Sequence, residues 1–273
     1  MNIRCSMHTH TTFCDGKHTP REMVESAIEL GCITLGFSGH SPMCVAGAEE
    51  WTMRSGRALK YFEEINRLKD EYKDRIEILA GIEQDYFSGA RDPIFDYAIG
   101  SVHGIRINGD YFNVDNTPEE FMSAVDKHYN GNVMEAVRDY YALVADVVDK
   151  TKCDIIGHFD LVTKFNEKCN LFNTSSKKYR TIALEALDAL IEKEKIFEIN
   201  TGAISRAWRT MPYPEDFLLK RLAEKGADLM ITSDSHHKDT ILFGYEDAIE
   251  YARSCGVKQL CVYKNSKIEK ILI

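Results

Sequence analysis

The sequence predicts an α/β fold, in which parallel strands form an irregular barrel and helices cover its outside. Short apolar segments alternate with amphipathic segments about seven times along the 273 residues. The short segments are rich in isoleucine, which is typical of strands whose two faces are both buried. The length suits one α/β barrel, and no linker or low-complexity tract divides it. We therefore expect a single domain over residues 1–273.

The expected strands are short apolar segments that mostly end just before a ligand-type polar residue. They cover residues 3–7, 33–38, 76–82, 97–102, 154–157, 196–200, 229–232 and 259–263. Because strands and helices alternate, we expect these strands to run parallel to one another.

The expected helices lie between these strands and cover residues 20–31, 57–73, 116–129, 177–194, 214–225 and 244–255. The first has a proline at its first position and ends on Gly31. Apolar residues recur at helical spacing in the second, and the third opens with a cap candidate, a proline and two glutamates. Two adjacent helices over 117–150 interrupt the alternation, so the barrel is expected to be irregular. Residues 41–56 have little periodicity and are expected to form a loop over its mouth.

Composition excludes several classes of function. The net charge of −9 and the absence of a basic patch argue against nonspecific nucleic-acid binding. The eight cysteines are scattered without a CxxC pair, so we expect reduced thiols. No signal peptide or membrane-spanning run is recognised, and we expect a cytoplasmic protein without a membrane partner. The sequence does not indicate an oligomeric state.

Six of the nine histidines and three acids stand at or just beyond the ends of the expected strands. They are His8, His10, Asp15, His40, Glu83, His103, His158, Asp234 and His236. In a parallel barrel, the C-terminal ends of the strands surround one mouth. A single histidine is usually an ordinary polar residue, but so many costly polar groups at equivalent ends require a ligand or partner. Nine nitrogen and oxygen ligands are too many for one metal ion and suit two or three.

The motifs that carry these residues occur in a recognisable order: HTHTTFCDG, SGHSP, GIEQDY, GSVH, GHFD and SDSH. They resemble the successive motifs of the PHP (polymerase and histidinol phosphatase) superfamily over nearly the whole chain. Within it, the sequence is most similar to the monofunctional histidinol-phosphatases. The resemblance implies a distorted (β/α)7 barrel that holds three divalent metal ions. Imidazole and carboxylate ligands suit Zn, Mn or Fe, and the sequence does not choose among them.

The resemblance also implies how the ligands divide among the ions. The first ion would take His8, His10, Glu83 and Asp234. The second would share Glu83 and add His103 and His158. The third would take Asp15, His40 and His236. A carboxylate is the natural bridge between two ions, because it has two oxygens.

The implied activity is that of a histidinol-phosphatase, which hydrolyses L-histidinol phosphate in histidine biosynthesis. A pair of ions supplies hydroxide from water at neutral pH, and the expected catalytic residues are Glu83, Asp234 and Arg206. One alternative is a PHP phosphoesterase that acts on another phosphomonoester, such as a nucleotide or nucleoside bisphosphate. Another is a metal-binding scaffold without turnover, although the full ligand set weighs against it.

Three residues, Arg206 among them, are candidates for contact with a small-molecule phosphomonoester. Arg206 follows the strand 196–200, and its planar guanidinium suits phosphate oxygens. Lys164 lies six residues after His158. The alternative for both is a solvated loop charge. Asp160 either accepts the amine or imidazole of the substrate or orients a histidine ligand.

Overall fold

The computed structural model describes residues 3–54 and 56–273, so Met1 and Asn2 of the predicted domain and Ser55 of the predicted loop lie outside the described residues. The strands are β1 (Cys5–Ser6), β2 (Thr34–Phe37), β3 (Glu77–Ala80), β4 (Ile82–Asp85), β5 (Ala98–Ser101), β6 (Gly104–Ile107), β7 (Asp110–Asn113), β8 (Ile155–Ile156), β9 (Ile196–Asn200), β10 (Leu229–Thr232), β11 (Gln259–Lys264) and β12 (Lys267–Leu272). The helices are α1 (Pro20–Glu29), α2 (Arg57–Tyr72), α3 (Pro118–Tyr129), α4 (Val133–Thr151), α5 (Asn166–Cys169), α6 (Lys177–Ile191), α7 (Gly202–Ser205), α8 (Asp216–Lys225) and α9 (Tyr245–Ser254). Every predicted strand and helix segment contains an element of the predicted type.

Two parallel sheets form the interior of this α/β fold. The strands β1, β2 and β3 pair in that order, and a second sheet has the order β10, β9, β8, β5, β4. Nearly all their residues are buried, because helices pack against them, with α2 on β3, α4 on β5 and α9 on β10. In each sheet, the parallel arrangement brings the C-terminal ends of the strands to one edge.

The first junction between the sheets lies at Gly81, the single residue between β3 and β4. Its N–H donates to the carbonyl of Phe37 at 2.9 Å, and His40 forms a parallel bridge with Glu83. A Cβ at Gly81 would lie only 2.2 Å from the ring of Tyr97, which crosses the strands at this point. Glycine is therefore required where one sheet passes into the other.

The second junction joins the start of the chain to its last parallel strand. Thr9, beyond β1, forms a parallel bridge with Ser235, beyond β10. The N–H of His10 donates to the carbonyl of Ser235 at 2.8 Å, and the N–H of Ser235 donates to the carbonyl of His8 at 3.1 Å. The two sheets are thus hydrogen-bonded to each other at both of their lateral edges, at the Gly81 junction and at the Thr9–Ser235 junction.

Two antiparallel hairpins depart from the predicted alternation. The strands β6 and β7 are joined by Asn108 and Gly109, whose φ angles are 52° and 91°. An Asn-Gly pair is a strong signal for such a turn, but the flanking strands are too exposed to have been recognised from their apolar residues. The predicted strand 259–263 pairs antiparallel with the half-exposed β12 rather than with a parallel neighbour. Asn265 and Ser266, also with positive φ, form that turn.

No helix among the described residues is long and apolar enough to cross a membrane. All eight cysteines are free, and five of them are buried among apolar side chains, as predicted for reduced thiols.

Candidate metal centre

The two junctions bring the predicted ligand-type side chains into one cluster. Each lies within a parallel strand or in the segment that follows one. Glu83 is the second residue of β4, and the other eight follow β1, β2, β5, β8 and β10. Seven of the nine are buried, and only Asp15 and His236 are partly exposed. The structure thus brings side chains that are distant in sequence together at one place.

Glu83 lies at the centre of the cluster, and its Oε2 faces three imidazoles. The distances from Oε2 are 2.7 Å to His40 Nδ1, 3.4 Å to His8 Nε2 and 3.5 Å to His10 Nε2. The carboxylate belongs to β4, directly after the Gly81 junction, so the crossing between sheets determines its position.

The other oxygen of Glu83 faces the opposite side. Oε1 lies 3.1 Å from His158 Nε2 and 3.3 Å from His103 Nε2, and it accepts a hydrogen bond of 2.7 Å from the Ser101 hydroxyl. Glu83 thus presents one oxygen to each of two groups of histidines, which is the geometry that a bridging carboxylate needs.

Asp234 and Asp15 supply the remaining carboxylates. Asp234 Oδ1 lies 3.2 Å from His10 Nε2 and 3.6 Å from both His8 Nε2 and His236 Nδ1. Asp15 Oδ2 lies 3.2 Å from His236 Nε2. Asp234 has a left-handed φ of 47°, so the backbone turns sharply where β10 reaches the cluster.

Several buried polar atoms of the cluster have no hydrogen-bond partner among the described residues. They are His8 Nε2, His10 Nε2, His40 Nδ1, Glu83 Oε2 and Asp15 Oδ1. Leaving so many buried polar atoms unpaired is costly, and all of them are nitrogen or oxygen donors of the kind that divalent cations bind. The side chains present therefore fit divalent metal ions.

The distances separate these side chains into three overlapping groups whose donor atoms lie within 4.8 Å of one another. The groups are His8, His10 and Asp234; His40, Glu83 and His103; and His10, Asp15, His40 and His236. They overlap with the three predicted sets but differ from them in membership. Glu83 is absent from the first group, His158 belongs to none of the three, His40 joins the second and His10 joins the third. His10 and His40 each belong to two groups, because each ring lies between two carboxylates.

The protonation states of His10 and Glu83 suit cation binding, whereas that of His8 opposes it. Burial and the neighbouring rings of His236 and His40 lower the pKa of His10 to about 3, so this ring is neutral. Burial alone would raise the pKa of Glu83, but the surrounding imidazoles, His40 foremost, hold it well below its usual range. For His8 the balance is reversed. Burial would lower the pKa of this imidazole, but the carboxylates of Glu198 and Glu83 raise it above its usual value. A cation that binds His8 must therefore displace a proton.

Two buried carboxylates, Glu198 and Asp85, contact ring nitrogens of His8 and His103 that face away from Glu83. The sequence analysis missed both. Glu198 Oε1 lies 2.6 Å from His8 Nδ1, and its Oε2 accepts a hydrogen bond of 2.8 Å from the backbone N–H of His158. Asp85 Oδ2 lies 3.0 Å from His103 Nδ1. Such contacts fix the orientation and tautomer of ligand histidines. The available signal was strand periodicity, since Asp85 lies two residues after Glu83 and faces the same way.

A cavity of about 320 Å³ opens beside the cluster. Its lining includes six of the nine ligand-type residues together with Lys17, Trp51, Asn113, Asp115, Asn116, Leu161, Lys164 and Arg206. Trp51 belongs to the predicted loop over the mouth, and its ring centre lies 4.8 Å from that of His40. A larger groove of about 710 Å³, between α3 and the β6–β7 hairpin, holds none of the nine.

The two predicted basic residues, Arg206 and Lys164, both line the cavity beside the cluster. Arg206 Nη2 donates to Asp234 Oδ2 at 2.8 Å, and its Nη1 donates to the Asp234 carbonyl at 3.1 Å. Lys164 Nζ donates to Asp115 Oδ2 at 3.0 Å and to the Asp115 carbonyl at 2.7 Å. Both cations are thus held in place by acids at the edge of the cavity.

The structure corrects the expectation for Asp160. This residue is completely buried outside the lining of the cavity, where its Oδ2 accepts the N–H of Glu215 at 2.9 Å. Burial raises its pKa, partly offset by the nearby Arg209. Asp160 therefore neither faces a substrate nor, among the described residues, hydrogen-bonds to a histidine ring.

Comparison with known proteins places this site in a family. A family model described as PHP domain matches residues 6–202. The probable histidinol-phosphatase of Deinococcus radiodurans is 30% identical over 264 residues, which cover 92% of this chain and 94% of that protein. The histidinol-phosphatase of Bacillus subtilis is 27% identical and covers 89% of this chain and 97% of its own.

A solved structure extends the similarity to three dimensions. The histidinol phosphate phosphatase of Lactococcus lactis, complexed with Zn, L-histidinol and phosphate, superposes with a TM-score of 0.73 at 27% identity. The match covers 98% of this chain and 99% of that one. From its sequence, its fold and these relatives, the chain belongs to the PHP domain family, in the histidinol-phosphatase branch.

Proposed function

We propose that this chain is a metal-dependent histidinol-phosphatase, which hydrolyses L-histidinol phosphate to L-histidinol and phosphate in histidine biosynthesis. The observation that carries the proposal is the cluster around Glu83, next to a cavity lined by Arg206 and Lys164. The two relatives described above are named histidinol-phosphatase or probable histidinol-phosphatase, and the Lactococcus lactis structure contains L-histidinol and phosphate. We also propose that residues 1–273 form one PHP phosphoesterase domain.

We further propose that the parallel strands close into a distorted (β/α)7 barrel. Its seven strands would be β1, β2, β5, β8, β9, β10 and one continuous strand formed by β3 and β4. The hydrogen bonds at the Gly81 and Thr9–Ser235 junctions support this closure, since they join the two sheets at both ends.

We propose that three divalent ions, Zn, Mn or Fe, occupy the cluster. The zinc in the Lactococcus lactis structure supports Zn as one candidate. The residues proposed to hold the ions are His8, His10, Asp15, His40, Glu83, His103, His158, Asp234 and His236. When bound, divalent ions lower the pKa of water and offset the negative charge of phosphate oxygens.

The cations of the chain would then bind and orient the phosphate group. Arg206 is held by Asp234 through both the carboxylate and the carbonyl, so its guanidinium is oriented before substrate arrives. A planar guanidinium can donate two parallel hydrogen bonds to phosphate oxygens. Lys164 adds a second positive charge at the cavity. Glu83 and Asp234 remain ionised and hold the surrounding imidazoles in place.

Glu198→Gln is expected to weaken metal binding and to lower kcat/KM, each by about 10- to 100-fold. The amide removes the negative charge beside His8 Nδ1 and so reduces the basicity of the ring nitrogen that faces the cluster. Competition with a chromogenic chelator measures metal affinity, and phosphate release measures activity. Glu192→Gln, at an exposed position beyond α6, is the matched control. Unchanged metal affinity in the Glu198 variant would contradict the role assigned to it.

The function is tested by steady-state phosphate release from histidinol phosphate, compared with nucleoside monophosphates and bisphosphates, after loading with Mn, Zn and Fe in turn. We expect a kcat/KM of at least ~10⁴ M⁻¹s⁻¹ for histidinol phosphate and far smaller values for the others. A flat or nucleotide-biased profile would assign the chain to another phosphoesterase activity. No hydrolysis of any monoester by the metal-loaded protein would indicate a scaffold without turnover.

A further inference from the structure

The cavity contains a carboxylate that the metal cluster does not use. Three carboxylates line it among the described residues, and two of them, Asp15 and Asp234, belong to the nine ligand-type side chains. The third is Asp115, which follows the β6–β7 hairpin and is joined in the lining by Asn113 and Asn116. This edge of the cavity is therefore rich in hydrogen-bond acceptors.

The Asp115 side chain is oriented by its partner and keeps an oxygen available. Lys164 Nζ contacts Oδ2 at 3.0 Å and also the carbonyl of Asp115 at 2.7 Å. No donor among the described residues reaches Oδ1, and the side chain remains 21% exposed. Burial would raise the pKa of Asp115, but Lys164 and His103 lower it, so this group is a carboxylate at neutral pH. A carboxylate has room for several donors, and Lys164 occupies only part of it.

The chemistry of histidinol phosphate matches this arrangement. Its ammonium group is attached to the carbon next to the one that carries the phosphate ester. When the phosphate lies against the ion cluster and Arg206, the ammonium lies two carbons from the ester oxygen and therefore inside the same cavity, whose lining includes Asp115. An ammonium offers three donors and no acceptor, so it requires an acceptor when water is removed.

We propose that Asp115 is the residue that recognises the amino group of the substrate, through its free Oδ1. Lys164 is then a positioning residue that fixes the Asp115 carboxylate, in addition to the charge it contributes at the cavity. The inference rests on the proposed function and extends it to a preference for phosphomonoesters that carry an amine on the neighbouring carbon. It also replaces Asp160, which is buried elsewhere, as the acidic contact to substrate.

The test compares histidinol phosphate with 3-(imidazol-4-yl)propyl phosphate, which lacks only the amino group and its charge. For the wild-type enzyme we expect a higher kcat/KM with histidinol phosphate. In Asp115→Asn, we expect the ratio of the two kcat/KM values to fall by about 10- to 100-fold, as for loss of a charged hydrogen bond. Any indirect effect through Lys164 acts on both substrates and cancels in the ratio.

Asp110→Asn is the matched control, because Asp110 lies on the hairpin that precedes Asp115, is exposed and pairs with Lys127. It should leave the ratio unchanged. Inhibition provides a second measurement: L-histidinol should inhibit the wild type more strongly than 3-(imidazol-4-yl)propanol does, and Asp115→Asn should remove that difference.

An unchanged ratio in Asp115→Asn, with both substrates still hydrolysed, would overturn the role of Asp115 while leaving the phosphatase activity standing. A wild-type enzyme that hydrolyses neither substrate would overturn the proposed function and this inference together. Equal inhibition of the wild type by the two alcohols would also contradict the proposed recognition of the amine.

Discussion

Glu83→Gln is expected to lower kcat/KM for histidinol phosphate by at least about a thousandfold, which corresponds to about 4 kcal/mol of transition-state stabilisation. The reason is the central position of this carboxylate, whose two oxygens face two groups of histidines. A glutamine keeps the volume but removes the charge and one of the two acceptors. The surrounding rings then lose the anion that holds them together.

Metal content per chain, measured after dialysis, should fall together with activity in this variant. Glu63→Gln, an exposed change on α2, is the control and should retain both. Near-normal kcat/KM in Glu83→Gln would show that Glu83 is not the bridging group.

Arg206→Ala is expected to lower kcat/KM by about 100- to 1,000-fold, as for removal of a preorganised donor to transition-state charge. The guanidinium is aligned by Asp234 at the edge of the cavity, so it can bind phosphate oxygens without rearrangement. The loss of its charge also leaves Asp234 Oδ2 without its donor.

Arg206→Lys separates these two effects, because it keeps a positive charge near Asp234 but not the planar pair of donors. We expect Arg206→Lys to have the metal content of the wild type but only part of its kcat/KM. Arg138→Ala, at an exposed position on α4, is the control. Unchanged kcat and KM in Arg206→Ala would remove its assigned role in phosphate binding.

The parallel part of the fold could be predicted because each of its strands and helices has a local pattern of apolar residues, and this pattern repeats along the chain. Strands buried on both faces must be continuously apolar, and the helices between them must have one apolar face. The β6–β7 and β11–β12 hairpins escaped prediction, because their strands are partly exposed and only the turn residues mark them. Asn108 and Gly109 were the informative pair for the first hairpin.

The candidate site could be predicted only where residue type and strand position coincide. A histidine or an acid at the end of an apolar strand satisfies both conditions, as His103 and Glu83 do. Glu198 lies inside a strand, and its role depends on His8, which lies far away in sequence. Asp115 follows a hairpin that was not recognised, and the sequence analysis named Asp160 of the GHFD motif as a candidate substrate contact instead. Tertiary contacts of this kind leave no local periodicity.

The Thr9–Ser235 junction has a consequence for the order of events during synthesis. His8 and His10 emerge from the ribosome early, whereas Asp234 and His236 appear only after β10 has been translated. Domains generally fold as units, so the two histidines must wait for partners from the last parallel strand. A nascent chain that ends before β10 can form hydrogen-bonded strands and helices without completing the cluster. Full metal loading therefore follows the translation of β10, and it stabilises only chains whose first and last parallel strands have met.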